Sequence, residues 1–212
     1  AVRDVFINGQ WRTLLVGALR RGGQGVYALD VTNPEVSAGD AANVVLWEYS
    51  DDLSNAQRMG FTFGRPNISR LSNGRWVVLV PGGYNSEQNT PSEPQVAPSD
   101  TAAPVGGSSL FILDAADGSL IRRFDFAPAV SRGLSAPTMG DYQLDFIDEF
   151  AVAGDLQGNL WRFDLSNPNP GSWSVVRMFR PAVDFDQPIT SAPRLTHWRL
   201  SSSCKPAACS CG

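Results

Sequence analysis

Oxygen-bearing side chains concentrate in one short string, Asp141-Tyr-Gln143-Leu-Asp145-Phe-Ile147-Asp148-Glu149. Side-chain oxygens at loop positions 1, 3 and 5, a backbone carbonyl at 7 and a carboxylate at 9 can wrap a single Ca²⁺. A hard cation takes about six to eight oxygens, and alternation along the chain turns the odd-numbered groups toward one centre. Asp141, Gln143, Asp145 and Glu149 fill the side-chain positions, Ile147 supplies the carbonyl, and Asp148 is a substitute carboxylate. Two positions depart from the pattern. Phe146 stands where such loops favour Gly for a sharp turn, and Gln143 stands where a carboxylate or Asn is expected. The competing reading is a bent acidic connection leading into a strand from Phe150.

The rest of the chain offers little reactive chemistry. Its one histidine is His197, and it contains no Gly-x-Ser-x-Gly elbow, P-loop or zinc-binding spacing. Nucleophilic and acid–base catalysis therefore lack residues, and the expectation is a binding or structural module, not an enzyme. All three cysteines, 204, 209 and 211, fall in the last nine positions. Thiolates there could hold a soft metal, but no second ligand pair follows at zinc-finger spacing. No disulfide framework runs through the first 203 residues.

The element that must position the acidic string is one copy of a repeat. Gly25-Val-Tyr-Ala-Leu-Asp30, Ser109-Leu-Phe-Ile-Leu-Asp114 and Asn159-Leu-Trp-Arg-Phe-Asp164 share one order: small or polar, aliphatic, aromatic, variable, apolar, Asp. Adjacent side chains on a strand face opposite ways, so both faces of these strands are apolar and each lies between other layers. The closing Asp is placed to accept hydrogen bonds from the backbone of the turn that follows. A second apolar strand precedes each string (Leu14–Gly17, Val77–Val80, Phe150–Ala153) and a third follows (Val44–Tyr49, Leu120–Phe126, Trp173–Phe179). Arg65-Pro66-Asn67 and Ser135-Ala136-Pro137 sit upstream of the second and third units. Ser191-Ala192-Pro193 opens a further one.

Short meandering strands in repeated four-strand units describe an all-β, propeller-like fold. Gly (20) and Pro (15) recur too often for long helices, and no window sustains helical spacing. A sandwich of strands that merely resemble one another is the weaker reading. The expected blades are residues 11–50, 61–127 and 134–180, with the start of a fourth at 188–197, within a partial propeller of residues 1–197. All six tryptophans (11, 47, 76, 161, 173 and 198) read as strand or strand-edge core. Residues 84–105 are polar and Pro-rich, and are expected to form an exposed, mobile loop. Residues 198–212 break the repeat half-finished, and are expected to be a disordered or frame-shifted tail. Three blades and a stub leave open sheet faces, which the rest of a larger propeller or a partner would cover. A net charge of −4 creates no field for nucleic acid, and no apolar run is long enough to span a bilayer as a helix.

The third unit, LSAPTMGDYQLDFIDEFAVAGDLQGNLWRFDL, resembles quinoprotein-dehydrogenase-like propeller repeats: Ser-x-Pro, strand, Gly-Asp, Gly-Asn-Leu-Trp-Arg, Asp. Together with WRTLLVGALRRGGQGVYALDVTNP and Thr190-Ser-Ala-Pro-Arg194, it resembles the C-terminal domain of the PilY family of type IV pilus tip and biogenesis factors. The resemblance runs from about Val2 to His197. It implies a protein secreted to the surface or pilus tip of a Gram-negative bacterium, with minor pilins and host or abiotic surfaces as partners. The implied role is to support pilus extension against retraction, and so twitching motility and adhesion. A calcium loop that tunes this activity maps onto Asp141, Gln143, Asp145 and Glu149. The alternative that the shared repeat leaves open is a periplasmic quinoprotein-type oxidoreductase, which would need a complete ring around a calcium-bound quinone.

Overall fold

The computed structural model describes residues 1–35, 39, 41–50, 59–84, 106–127, 129–182 and 187–196. The expected loop beyond Tyr84, His197, Trp198 and the cysteine-bearing tail lie outside the described residues. Along the chain run β1 (Val2–Ile7), β2 (Gln10–Ala18), β3 (Gly25–Asp30), a one-turn helix α1 (Ala41–Val44) and β4 (Val45–Ser50). Then follow β5 (Asn67–Arg70), β6 (Trp76–Gly82), β7 (Ser109–Asp114) and β8 (Leu120–Asp125). The last set is β9 (Thr138–Gly140), β10 (Phe150–Gly154), β11 (Leu160–Asp164) and β12 (Ser174–Phe179). Each set of four strands forms its own antiparallel sheet in chain order, the meander of a propeller blade.

The three repeat strings become β3, β7 and β11, the third strand of each blade, in matching register. Tyr27 pairs with Gly17, Phe111 with Val80 and Trp161 with Ala153 on the preceding strand. The closing Asp does the same work in each copy. Its Oδ1 accepts the backbone amide two residues on, from Thr32 to Asp30 at 3.0 Å, Ala116 to Asp114 at 2.9 Å and Ser166 to Asp164 at 3.1 Å.

Alternation divides the middle sheet between two cores. Val78, Val80, Phe111 and Leu113 face the first blade and pack with Val5, Leu14, Val16, Val26, Ala28 and Trp47. Val77, Leu79, Leu110 and Ile112 face the third blade and pack with Ala151, Ala153, Trp161, Phe163 and Trp173. The repeated aromatic faces the preceding blade. Phe111 meets Tyr49 of blade one at 6.0 Å, and Trp161 meets Phe126 of blade two at 4.5 Å. Tyr27 holds the same register but is only half-buried, because no described blade stands before the first. Its ring lies so close over Gly17 that a Cβ there would come within 2.3 Å of the Tyr27 Cζ.

Two sequence expectations need correction. The first blade begins at Val2, not at residue 11: β1 and β2 form a hairpin closed by Asn8-Gly9, with φ of 52° and 76°. Two successive left-handed residues suit a two-residue turn, and Asn-Gly is the pair that tolerates it. Trp11 is not core. It stands at the tip of that hairpin and is 64% exposed, edge-on to Phe6 at 5.6 Å and Trp76 at 6.3 Å. Residues 187–196 form no strand. They lie against blade three, where Ile189 donates to the Asp155 carbonyl and Thr138 Oγ1 to the Pro193 carbonyl.

The first strands of the blades converge. Ala1, Arg3, Asn67, Ile68, Pro137 and Thr138 help to line a cavity of about 290 Å³ between them. The acidic string joins β9 to β10 beside this convergence.

Candidate metal centre

Asp141 follows β9 directly and organises the loop after it. Its Oδ1 accepts the amides of Leu144 and Asp145, and its Oδ2 accepts that of Phe146 at 2.8 Å. Asp145 Oδ1 accepts the Ile147 amide at 3.0 Å, and Glu149 Oε2 accepts the Tyr142 amide at 2.6 Å. These bonds curl the chain inward, so the carboxylate oxygens of Asp141, Asp145 and Glu149 lie within 4.8 Å of one another. Mutual repulsion among three carboxylates opposes that arrangement unless positive charge joins them.

Loop position 6 requires a sharp turn, and the backbone makes it without glycine. Leu144 and Phe146 both adopt left-handed conformations, at φ of 60° and 67°. For side chains with a Cβ this costs roughly 1–2 kcal/mol per residue. The loop stands out from the sheet: residues 142–146 are all exposed, Phe146 by 82%.

The donors present suit a hard divalent cation. They are carboxylate oxygens, as Ca²⁺ prefers, with no sulfur or imidazole among them. Glu149 Oε1, in the same cluster, is buried and has no hydrogen-bond partner. A buried carboxylate oxygen without a donor is costly, and a cation would supply what it lacks. Gln143 is exposed at loop position 3, and Ile147 is half-buried at position 7.

Asp148, expected as a substitute ligand, is directed elsewhere. It is buried, its Oδ2 accepts the Ser69 hydroxyl, and Arg3 Nη1 stands 3.7 Å from the same oxygen. Burial pushes its carboxyl above the usual carboxylate range. The Ser69 hydrogen bond and Arg3 pull the other way, while Asp141 and Glu149 add to the rise. Arg3 and Ser69 come from blades one and two, so no local spacing in the string announces them.

Asp155, which directly follows β10, is fully buried but structural. It accepts the Gln157 and Asn159 amides, the Asn159 Nδ2 and the Trp161 indole Nε1 at 2.8–2.9 Å. The Gly-Asp and Gly-Asn-Leu-Trp parts of the repeat are thus two halves of one hydrogen-bonded corner.

Comparison with known proteins gives a consistent picture. The model of the PilY1 β-propeller domain family matches residues 1–205. The type IV pilus biogenesis factor PilY1 of Pseudomonas aeruginosa (strain UCBPP-PA14) is 37% identical over 186 residues, which is 85% of this chain and 14% of that protein. A PilY1 homologue of Xylella fastidiosa is 34% identical over 184 residues, 82% of this chain and 11% of its own length. The crystal structure of the P. aeruginosa PilY1 C-terminal domain superposes with a TM-score of 0.71 at 34% identity, covering 92% of this chain and 40% of that one. The chain therefore spans about a seventh of the first relative and two fifths of the solved domain.

Proposed function

This chain belongs to the PilY1 β-propeller family, and on that premise we propose that it is a module of a type IV pilus biogenesis factor. Its work is to support pilus extension, and with it twitching motility and adhesion, at the surface or pilus tip of a Gram-negative bacterium. Its partners are minor pilins and the surface to which the pilus attaches. The observation that carries this reading is agreement at two levels: 37% identity to a pilus biogenesis factor and a shared fold with that family's solved domain. Deleting the codons for residues 1–182 from the gene in its host should reduce surface pili and twitching zones. Unchanged pili and zones would overturn the assignment.

Calcium at the 141–149 loop is the regulatory part of the proposal. Asp141, Asp145 and Glu149 hold the ion, which neutralises three clustered carboxylates and gives the buried Glu149 Oε1 a partner. A cation that binds only the folded loop stabilises the protein by mass action. The wild type should therefore melt at a higher temperature in Ca²⁺ than in chelator. Asp145→Ala should abolish that difference, since it removes a full charge from the middle of the loop. Identical wild-type melts, with no heat of binding by calorimetry, would reject the ion.

The oxidoreductase alternative finds no support. Trp47, Trp161 and Trp173 are buried between blades, and each donates its indole N–H to a protein oxygen. Their rings are committed to the cores and present no stacking platform for a quinone.

A further inference from the structure

We propose that Arg3, carried by the first blade, is a positioning residue for the cation loop of the third. The inference rests on the calcium reading above and concerns what holds the loop in its binding geometry.

Asp148 and Glu149 are chain neighbours whose side chains point apart: Asp148 meets Ser69 and Arg3, while Glu149 Oε2 accepts the Tyr142 amide. Glu149 can face the loop centre only while Asp148 faces away from it. What holds Asp148 away comes from two other blades. Arg3 on β1 donates from Nη1 to the Ile68 carbonyl at 2.7 Å, stands 3.7 Å from Asp148 Oδ2, and lies over the Trp76 ring at 5.3 Å. Ser69 on β5 donates its hydroxyl to the same Asp148 oxygen. The backbone is pinned as well: the Asp148 amide donates to the Arg70 carbonyl at 2.9 Å, and the Glu149 amide to Gly140 at 2.9 Å. One guanidinium thus bridges β1, the backbone of β5 and the C-terminal end of the loop.

Arg3 Nη1 alone serves the Ile68 carbonyl and stands beside the Asp148 carboxylate, while the planar guanidinium lies over an indole. Lysine, a compact point charge, cannot reproduce that geometry. Without the anchor, a buried Asp148 beside Asp141 and Glu149 has no counter-charge, and the loop loses the orientation of Glu149. Groups that orient metal ligands without touching the metal commonly change affinity by about 10–100-fold when removed.

Charge and position make opposite predictions here. Arg3 is a cation near a cation site, so by charge alone its removal would tighten Ca²⁺ binding. As a positioning residue, its removal weakens binding. The test is calcium affinity by titration calorimetry on the folded chain, with Arg3→Lys, Arg3→Met and Ser69→Ala. Arg3→Lys and Ser69→Ala keep the net charge, and Ser69→Ala is a small change that keeps the test valid if the Arg3 variants fold poorly. All three should weaken binding by roughly tenfold or more. Ile112→Val, which loosens the core between the middle sheet and the third blade but alters no bond to Asp148 or Glu149, should leave affinity unchanged and so separates positioning from general destabilisation. If the wild type binds, but Arg3→Lys and Ser69→Ala match it and Arg3→Met binds tighter, Arg3 acts only through charge and the inference is overturned while the cation site stands. If the wild type takes up no calcium, the cation reading fails and the inference with it.

Discussion

At Asp30 burial opposes ionisation, but hydrogen bonds from the Thr32 hydroxyl and amide, and the Arg12 guanidinium 2.7 Å away, outweigh it and hold the carboxyl below its usual value. At Asp164 the Ser166 hydroxyl and amide act first and Arg162 adds to them, against a smaller burial penalty. A lowered folded-state value means that each carboxylate adds stability above its unfolded value, near pH 4. That contribution drains away as pH falls through the lowered folded value. Asp30→Asn keeps an oxygen for the turn but loses the charge. It should therefore melt below the wild type at neutral pH, with the gap closing below about pH 4. A gap that stays constant between pH 7 and pH 3 would show that the turn, not the charge, carries the effect. Position by position, the repeat's Asp is a turn-maker first and an ion-pair partner second.

At the scale of the element, the blade is held by what its third strand puts between sheets. Trp161 fills the interface between blades two and three, with Phe126 against its face, Arg177 near its ring and Asp155 taking its N–H. Trp161→Ala should cost about 3–5 kcal/mol through the cavity it leaves, measured by denaturant unfolding. It also leaves Asp155 one donor short. A loss below about 1 kcal/mol, near the net worth of a single hydrogen bond, would mean that the interface collapses around the gap. Tyr27, in the same register, would give a smaller loss, because only part of its ring is removed from water.

For the whole molecule, the middle sheet is a partition between two cores that share no buried side chain. Ile68 belongs to one and Ile112 to the other. Ile68→Val and Ile112→Val should each cost about 0.5–1.5 kcal/mol. Their sum should match the double variant within about 0.5 kcal/mol, as expected for sites without shared partners. A larger discrepancy would show that the sheet transmits strain from one face to the other. Cohesion at the blades' first strands is of another kind. There the blades are tied by polar bonds, Arg3 to Ile68, Ser69 to Asp148 and Asn67 Nδ2 to the Pro137 carbonyl at 3.3 Å.

What the sequence determined by itself is local and periodic. A hexad of fixed order sets strand, face and closing turn within a few residues, so three blades, their register and the role of Asp30, Asp114 and Asp164 were legible. So was the acidic loop itself as the place where Asp141, Asp145 and Glu149 can gather, because all three lie within nine residues. The Asn8-Gly9 hairpin signal was present too, and would have placed the first strand at Val2. Tertiary structure alone decided the rest. Asp148 and Glu149 are adjacent carboxylates of the same charge, and only Ser69 and Arg3, 79 and 145 positions away in the chain, turn one from the loop and leave the other in it. Phe146 could be judged against a glycine preference, but whether the backbone would accept a left-handed turn there depended on Asp141 capturing its amide. Trp11 carries the same residue type as Trp161 and lies on a strand of the same fold. The difference between exposed and buried comes from which sheet faces it, and no window of sequence around either residue contains that information.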